Sequence, residues 1–154
     1  MNLRKKVVVI AAAISICLLS FTAYTARIYY SMYIGVRTFQ VELKSFDTRI
    51  LDDTGQSLTE VTISNPTEFN FHVAQIFETL YLGEEFFLSK LWAGHPTEIG
   101  PGTIVDASNT LDIPESKIPL INVTGQLEWT IVLEIAVSST FLPTSTLTFV
   151  LYPE

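Results

Sequence analysis

The residues with the most chemistry to offer are two histidines, one cysteine, the adjacent acids Glu84-Glu85 and one tripeptide of the glycosylation type. His72 and His95 are the only histidines. A transition-metal centre needs several converging donors, and no HxH or HxxxH spacing and no second cysteine accompanies them. His72 alternates with Phe71 and Val73, so it is expected to face solvent, while His95 sits in a Gly-Pro loop beside Trp92. Ser139, within Val137-Ser-Ser-Thr140, lacks the flanking glycines of a nucleophile elbow. The glycines between Gly94 and Gly102 are not followed by a lysine and a helix, as a phosphate loop requires. Glu84-Glu85 supplies too few oxygens for calcium and reads as a solvated turn. No catalytic residue, metal, cofactor or small-molecule substrate is therefore expected. Asn122-Val123-Thr124 is a glycosylation sequon, whereas Asn65-Pro66-Thr67 is excluded by its proline.

Two kinds of element must position these residues, and the first is apolar. Val7 to Ala26 carries no charge. Twenty residues at about 1.5 Å each span roughly 30 Å, the thickness of a hydrocarbon core. Lipid offers backbone N–H and C=O groups no partners, so the segment must be helical. Arg4, Lys5 and Lys6 precede it. The positive-inside rule then places residues 1–6 in the cytoplasm, 7–26 in the membrane and 38–154 outside; Arg27 and Arg37 weaken the asymmetry without reversing it. Tyr24, Tyr29, Tyr30 and Tyr33 fit a membrane exit, with rings among acyl chains and hydroxyls in water. Tyr29 and Tyr33 are four apart and share a helical face, so the helix is expected to run to about Ile34, before Gly35. The rival reading packs these tyrosines on a partner subunit. A cleaved signal would show the same charged and apolar regions, but Ala26 has Tyr24 at −3, Ala23 has Phe21 there, and Ile16 is too large for lipoprotein cleavage at Cys17. A retained anchor is the expectation.

Apolar residues make up 48% of the 154 residues, and the mean hydropathy is +0.36. Much of that excess lies in the anchor, and the remainder is closer to an ordinary globular composition. After residue 37 only Lys44, Arg49, Lys90 and Lys117 stand against all sixteen acids. A segment so acidic repels phosphate backbones, so nucleic acid is not an expected partner. With Cys17 the only cysteine, no intramolecular disulfide can form and the domain must be stable through its core.

From residue 38 the pattern has period two. Phe39, Val41 and Leu43 alternate with polar residues, and so do Val61 and Ile63. Asp52-Asp53-Thr54-Gly55 reads as a turn between these runs, and Asn65-Pro66 ends the second. Phe69, Phe71 and Val73 restart the alternation, and a parity slip near Ala74 to Ile76 predicts a β-bulge. Gly83-Glu84 predicts a hairpin, and Gly94 to Gly102 a loop. Val105, Ala107, Asn109, Leu111 and Ile113 share one parity. So do Val123, Leu127, Trp129, Ile131, Leu133, Ile135 and Val137, read as one strand, and Leu147, Phe149 and Leu151 as the last. Seven or eight short strands with no helical period after residue 38 predict an all-β, antiparallel sandwich.

The ordered set Val61-Thr-Ile-Ser-Asn65-Pro66, Phe69-Asn-Phe71, Leu80-Tyr-Leu-Gly83, Ile99-Gly-Pro101-Gly-Thr103, the alternating run to Pro114, and Val123-Thr-Gly125 resembles the water-stress and hypersensitive-response (WHy) domain. That domain defines the folded, atypical late embryogenesis abundant, desiccation-related proteins, which have archaeal and bacterial relatives, often with an N-terminal membrane segment. The resemblance covers roughly residues 38–152. It implies an immunoglobulin/fibronectin-III-like sandwich, no active site, and a protective, stress-related or cell-envelope role. The competing expectation is an accessory subunit of a membrane complex or surface filament. Phe86, Phe87, Leu91 and Trp92, apolar outside the core parity, would then form a patch for a protein partner or a second copy.

Overall fold

The computed structural model describes residues 3–51, 54–123, 128–140 and 142–153. Helix α1, Leu3–Val36, is 34 residues long, roughly 50 Å at its ordinary rise. Its segment Val7–Val36 contains an 18-residue window of mean hydropathy 2.4 and is long and apolar enough to cross a membrane. The hydroxyls of Thr22 and Thr25 donate back to the carbonyls of Leu18 and Phe21, at 2.9 and 3.0 Å, so neither needs a partner outside the helix. The helix closes where Arg37 N–H and Thr38 N–H donate to the carbonyls of Ile34 and Gly35. Thr38 Oγ1 adds a second bond to the Gly35 carbonyl at 2.7 Å.

The remainder is a two-layer antiparallel sandwich. Strands β1 (Gln40–Leu51), β2 (Thr54–Ser64) and β6 (Ile104–Ile113) form one sheet in the order β1-β2-β6. Strands β3 (Phe71–Leu82), β4 (Glu85–Leu91), β7 (Trp129–Ser139) and β8 (Leu142–Leu151) form the other in the order β4-β3-β7-β8, with the two-residue β5 (Glu98–Ile99) pairing with the start of β3. This is the sandwich expected from the alternation. Inward residues of both layers make one core, in which Val61, Ile63, Phe71, Ile76, Leu80, Leu111, Ile131, Leu133 and Ile135 are sealed from solvent.

The predicted bulge is present: Val73 pairs with Val137 and Gln75 with Ala136, leaving Ala74 as the extra residue. Inward parity therefore changes from Phe71 and Val73 to Ile76, Glu78 and Leu80. A second bulge lies between Leu43 and Ser45 in β1. Gly83, at φ 62°, turns the β3–β4 hairpin as expected.

Three expectations are corrected. Thr54 and Gly55 are not a turn but the first residues of β2, with Gly55 paired to Ile50 and to Ile113; Asp52 and Asp53 lie outside the described residues. The strand thought to begin at Val123 begins at Trp129. Val123 closes a short helix, α2 (Ile118–Val123), reached through a 3₁₀ turn at Glu115–Lys117. One turn and a half is too short to show a helical period in the sequence. Within the expected loop 94–102, Glu98 and Ile99 form β5, and Ile99 is fully buried.

Gly55 is needed for space and not for φ. A Cβ built there meets the Ile113 Cβ at 3.0 Å, a branch point that cannot swing away. Gly55→Val is expected to cost about 1–3 kcal/mol by overpacking. Urea unfolding of the full chain in detergent, followed by tryptophan fluorescence, measures it; an unchanged midpoint would refute the packing argument.

Candidate functional site

Two places concentrate unusual side chains: the junction of α1 with the sandwich, and the interlayer beneath Trp92. At the junction α1 does not stop short of the domain. Met32 and Val36, one turn apart on one face, are buried, and Phe39 is buried just past the helix end. Ser139, at the end of β7, donates to Met32 Sδ at 3.8 Å. Gly35 lies so close to the 65–69 loop that a Cβ there would stand 3.0 Å from Thr67 Cγ2. Phe39 meets Phe71 edge-on at 5.1 Å.

Asn65 holds the loops of this end together. Its side-chain nitrogen lies 2.8 Å from the Phe69 carbonyl, 3.1 Å from that of Ile99 and 2.8 Å from that of Gly100. Its Oδ1 accepts from Thr67 N–H at 3.1 Å and Thr67 Oγ1 at 2.7 Å. Its backbone N–H donates to the Thr103 carbonyl at 3.0 Å. The Asn-Pro step that ends β2 in the sequence is thus a fully buried hydrogen-bond hub, because two loops that share only the two-residue β5 pairing need further partners for their carbonyls.

The side chains of Tyr24, Tyr29, Tyr30 and Tyr33 are all exposed. The Arg37 guanidinium lies 4.6 Å from the centre of the Tyr33 ring and donates to its hydroxyl. Of the four residues expected to form a partner patch, only Phe86 (55% exposed) and Leu91 (49%) are at the surface. Phe87 and Trp92, at 2%, are core residues, which corrects that expectation. The alternation of β4 turns Phe87 inward against Trp129, with ring centres 5.0 Å apart, and Trp92 N–H bonds the Ile76 carbonyl at 2.8 Å. His72 is exposed, and His95 is half-buried with Nδ1 3.0 Å from the Pro96 carbonyl. Asn122 stands in α2, but its side chain and Thr124 lie outside the described residues. No group of three or more His, Cys, Asp or Glu that could hold a metal occurs among the described residues.

The interlayer holds what the residue pattern had not signalled. Glu78, on β3, is fully buried and faces the other sheet. Its Oε1 takes a 2.6 Å bond from Thr59 Oγ1 of β2. Its Oε2 accepts from Trp92 Nε1 at 2.7 Å and Asn109 Nδ2 of β6 at 3.0 Å. Thr59 and Asn109 are direct cross-strand partners, so one rung of the three-stranded sheet supplies both bonds. Ser57, two residues earlier on the same inward face, has a buried hydroxyl with no hydrogen-bond partner among the described residues. Burial raises the Glu78 carboxyl above its ordinary value of 4.5, and the three donors only partly offset that. Among the described residues no charged side chain bonds it, and it is fully buried between the sheets.

A carboxyl whose folded value is raised favours the protonated fold. Its contribution is fully present below pH 4.5 and is lost as pH rises through the folded value, so at neutral pH the ionised group opposes folding. Glu78→Gln keeps the shape and the bonds, with its amide donating to Thr59 and its oxygen accepting from Trp92 and Asn109. It is expected to be more stable than the parent at neutral pH, with a flatter stability–pH profile. Glu78→Ala strands three donors and leaves a cavity, at a cost of about 2–5 kcal/mol. Denaturant midpoints between pH 4 and 8 decide; parallel parent and Gln profiles would overturn the assignment.

No family model matches the chain, and no curated protein sequence matches it. Its fold does recur among solved structures. A "putative late embryogenesis abundant (LEA) protein" is similar at TM-score 0.56 and 14% identity, over 98% of this chain and 87% of that one. A protein from Archaeoglobus fulgidus is similar at TM-score 0.52 and 10% identity, over 72% of this chain and 94% of that one. A structural-genomics target matches at TM-score 0.52 and 12% identity, over 75% and 86%. At these identities the likeness is one of fold.

Proposed function

We propose that this chain is a non-enzymatic, membrane-anchored sandwich of the WHy type, with a protective, stress-related or cell-envelope role. The observation that carries the reading is the contrast between its two parts. The apolar side chains of α1 from Val7 to Phe21 stand outside any core, while the sandwich encloses its own and seals its one unusual carboxyl away from substrates. Arg4, Lys5 and Lys6 support a cytoplasmic N-terminus, and with it an extracytoplasmic sandwich. Likeness in fold to an LEA protein supports the stress-related part. The lipid bilayer is then the primary partner, and Tyr24, Tyr29, Tyr30 and Tyr33 line its interface.

A second reading, an accessory subunit, draws on one observation: Tyr29, Tyr30, Tyr33 and Ile34 leave an apolar and aromatic helix face exposed beyond the uncharged run, with Phe86 and Leu91 exposed on the sandwich.

The chain is expected to stay in membranes washed with alkaline carbonate and to purify in mild detergent without a stoichiometric partner. An impermeant maleimide should label Glu84→Cys on intact cells. Vesicles carrying the chain should retain trapped dye through drying and rehydration better than empty vesicles. Equal leakage would remove the protective role. A one-to-one partner surviving the wash would replace it with the subunit reading.

A further inference from the structure

The helix and the sandwich share residues, and this sets how far the domain can stand from the membrane. The uncharged run ends at Ala26, and Arg27 follows. Met32, already buried against the domain, is six residues on, a rise of only about 9 Å. A headgroup layer is roughly 5–8 Å deep on each side of the hydrocarbon. No linker intervenes above Met32, because α1 closes on Ile34 and Gly35 and the chain is back in the core at Phe39.

The topology gathers a specific set of loops at that level. Strand β1 starts at Gln40, opposite the end of β2 at Ser64, which pairs with the start of β6 at Ile104. Strand β3 starts at Phe71, and β7 ends at Ser139, against Met32. Loops 65–70 and 93–103 and the end of β7 at Ser139 therefore lie at the α1 end, with Asn65 tying the two loops together. Pro66, Glu68, Asn70, Thr97, Pro101 and Ile104 are exposed there. Charge is partitioned too. Of the sixteen acids Glu68 and Glu98 lie in these loops and Glu42 and Asp106 stand near the same ends of β1 and β6, beside Arg27 and Arg37, so this end carries only a small part of the excess negative charge. An anionic headgroup surface therefore repels this end less than the acidic remainder.

We infer that the α1 end of the sandwich, comprising loops 65–70 and 93–103, is a lipid-contacting foot held in the headgroup layer by the unbroken α1–β1 junction. The inference rests on the anchored reading and adds the surface and its partner. It makes the domain a fixture of the bilayer surface instead of a body on a tether.

The test uses the full chain with Cys17→Ser, reconstituted in phosphatidylcholine vesicles with a minor fraction of phosphatidylglycerol. A polarity-sensitive fluorophore is placed at Glu68→Cys, Thr97→Cys or Glu84→Cys, the last about 30 Å along the strands from the foot. Vesicle flotation is measured first, then quenching by headgroup spin-labelled lipid. Labels at residues 68 and 97 should lose fluorescence, and the label at 84 should keep it. A flexible Gly-Ser insertion of about ten residues between Arg37 and Thr38 should abolish the quenching while flotation persists. A chain that floats with both foot labels unquenched overturns the foot and leaves the anchor standing. A chain that does not float overturns both. Quenching that survives the insertion overturns the role of the junction.

Discussion

There is no slack between the helix and the sheet, and most of what is distinctive about this protein depends on that. A helix that crosses a bilayer ordinarily finishes its business with lipid and then yields to a flexible segment. Here the last turns of α1 face a protein core on one side, through Met32 and Val36, and leave Tyr29, Tyr30 and Tyr33 exposed on the other. Gly35 permits the approach because any side chain would meet Thr67. The domain end that receives the helix must then be rigid, and its loops have only the two-residue β5 ladder to make them so. Asn65 supplies the rigidity by presenting donors to carbonyls of both loops at once, the work a strand would do elsewhere.

The opposite half of the core is stabilised differently. A two-layer sandwich of apolar residues tolerates sliding of one layer over the other, since dispersion and burial are not directional. A carboxyl from one sheet that finds a donor pair on one rung of the other permits only one registration. Thr59 and Asn109 can both reach Glu78 only while β2 and β6 remain paired residue for residue. The raised pKa of that group means the device costs stability at neutral pH relative to acid, which agrees with buried polar groups being kept for uniqueness of structure more than for energy.

The alternation of the strands was legible because each sheet has one wet face, so period two survives in β2, β6 and β7. The bulge at Ala74 was legible from the parity slip alone. The same slip carried the signal for Glu78: once Ala74 is the extra residue, Glu78 falls between Ile76 and Leu80 on the inward face. Asn109 likewise stood on its strand's inward parity beside Leu111. What misled was β4, too short for its parity to be read against its neighbours, so that Phe87 and Trp92 resembled Phe86 and Leu91 in type while facing the other way. Gly55 resembled a turn residue because a glycine required for space and one required for φ look the same in a sequence. The role of Asn65 was hidden for a related reason. Asn-Pro marks the end of a strand whether or not the amide goes on to organise two loops.

These constraints also bear on where function can reside. An enzyme needs a reactive group that substrate can touch, and Glu78, the carboxyl that burial raises, is enclosed by both sheets and by the Trp92 indole. A surface groove of about 610 Å³ between Glu42–Phe46 of β1 and Val150–Pro153 offers Glu42 and Lys44 as charged groups. Lys44 is already bound to Asp106 at 2.7 Å, an exposed pair that draws the Asp106 carboxyl below its usual range and adds little stability. Position, by contrast, is tightly specified: helix length, the cap at Gly35, the packing of Met32 and the Asn65 hub all fix the height and attitude of the sandwich relative to the apolar helix.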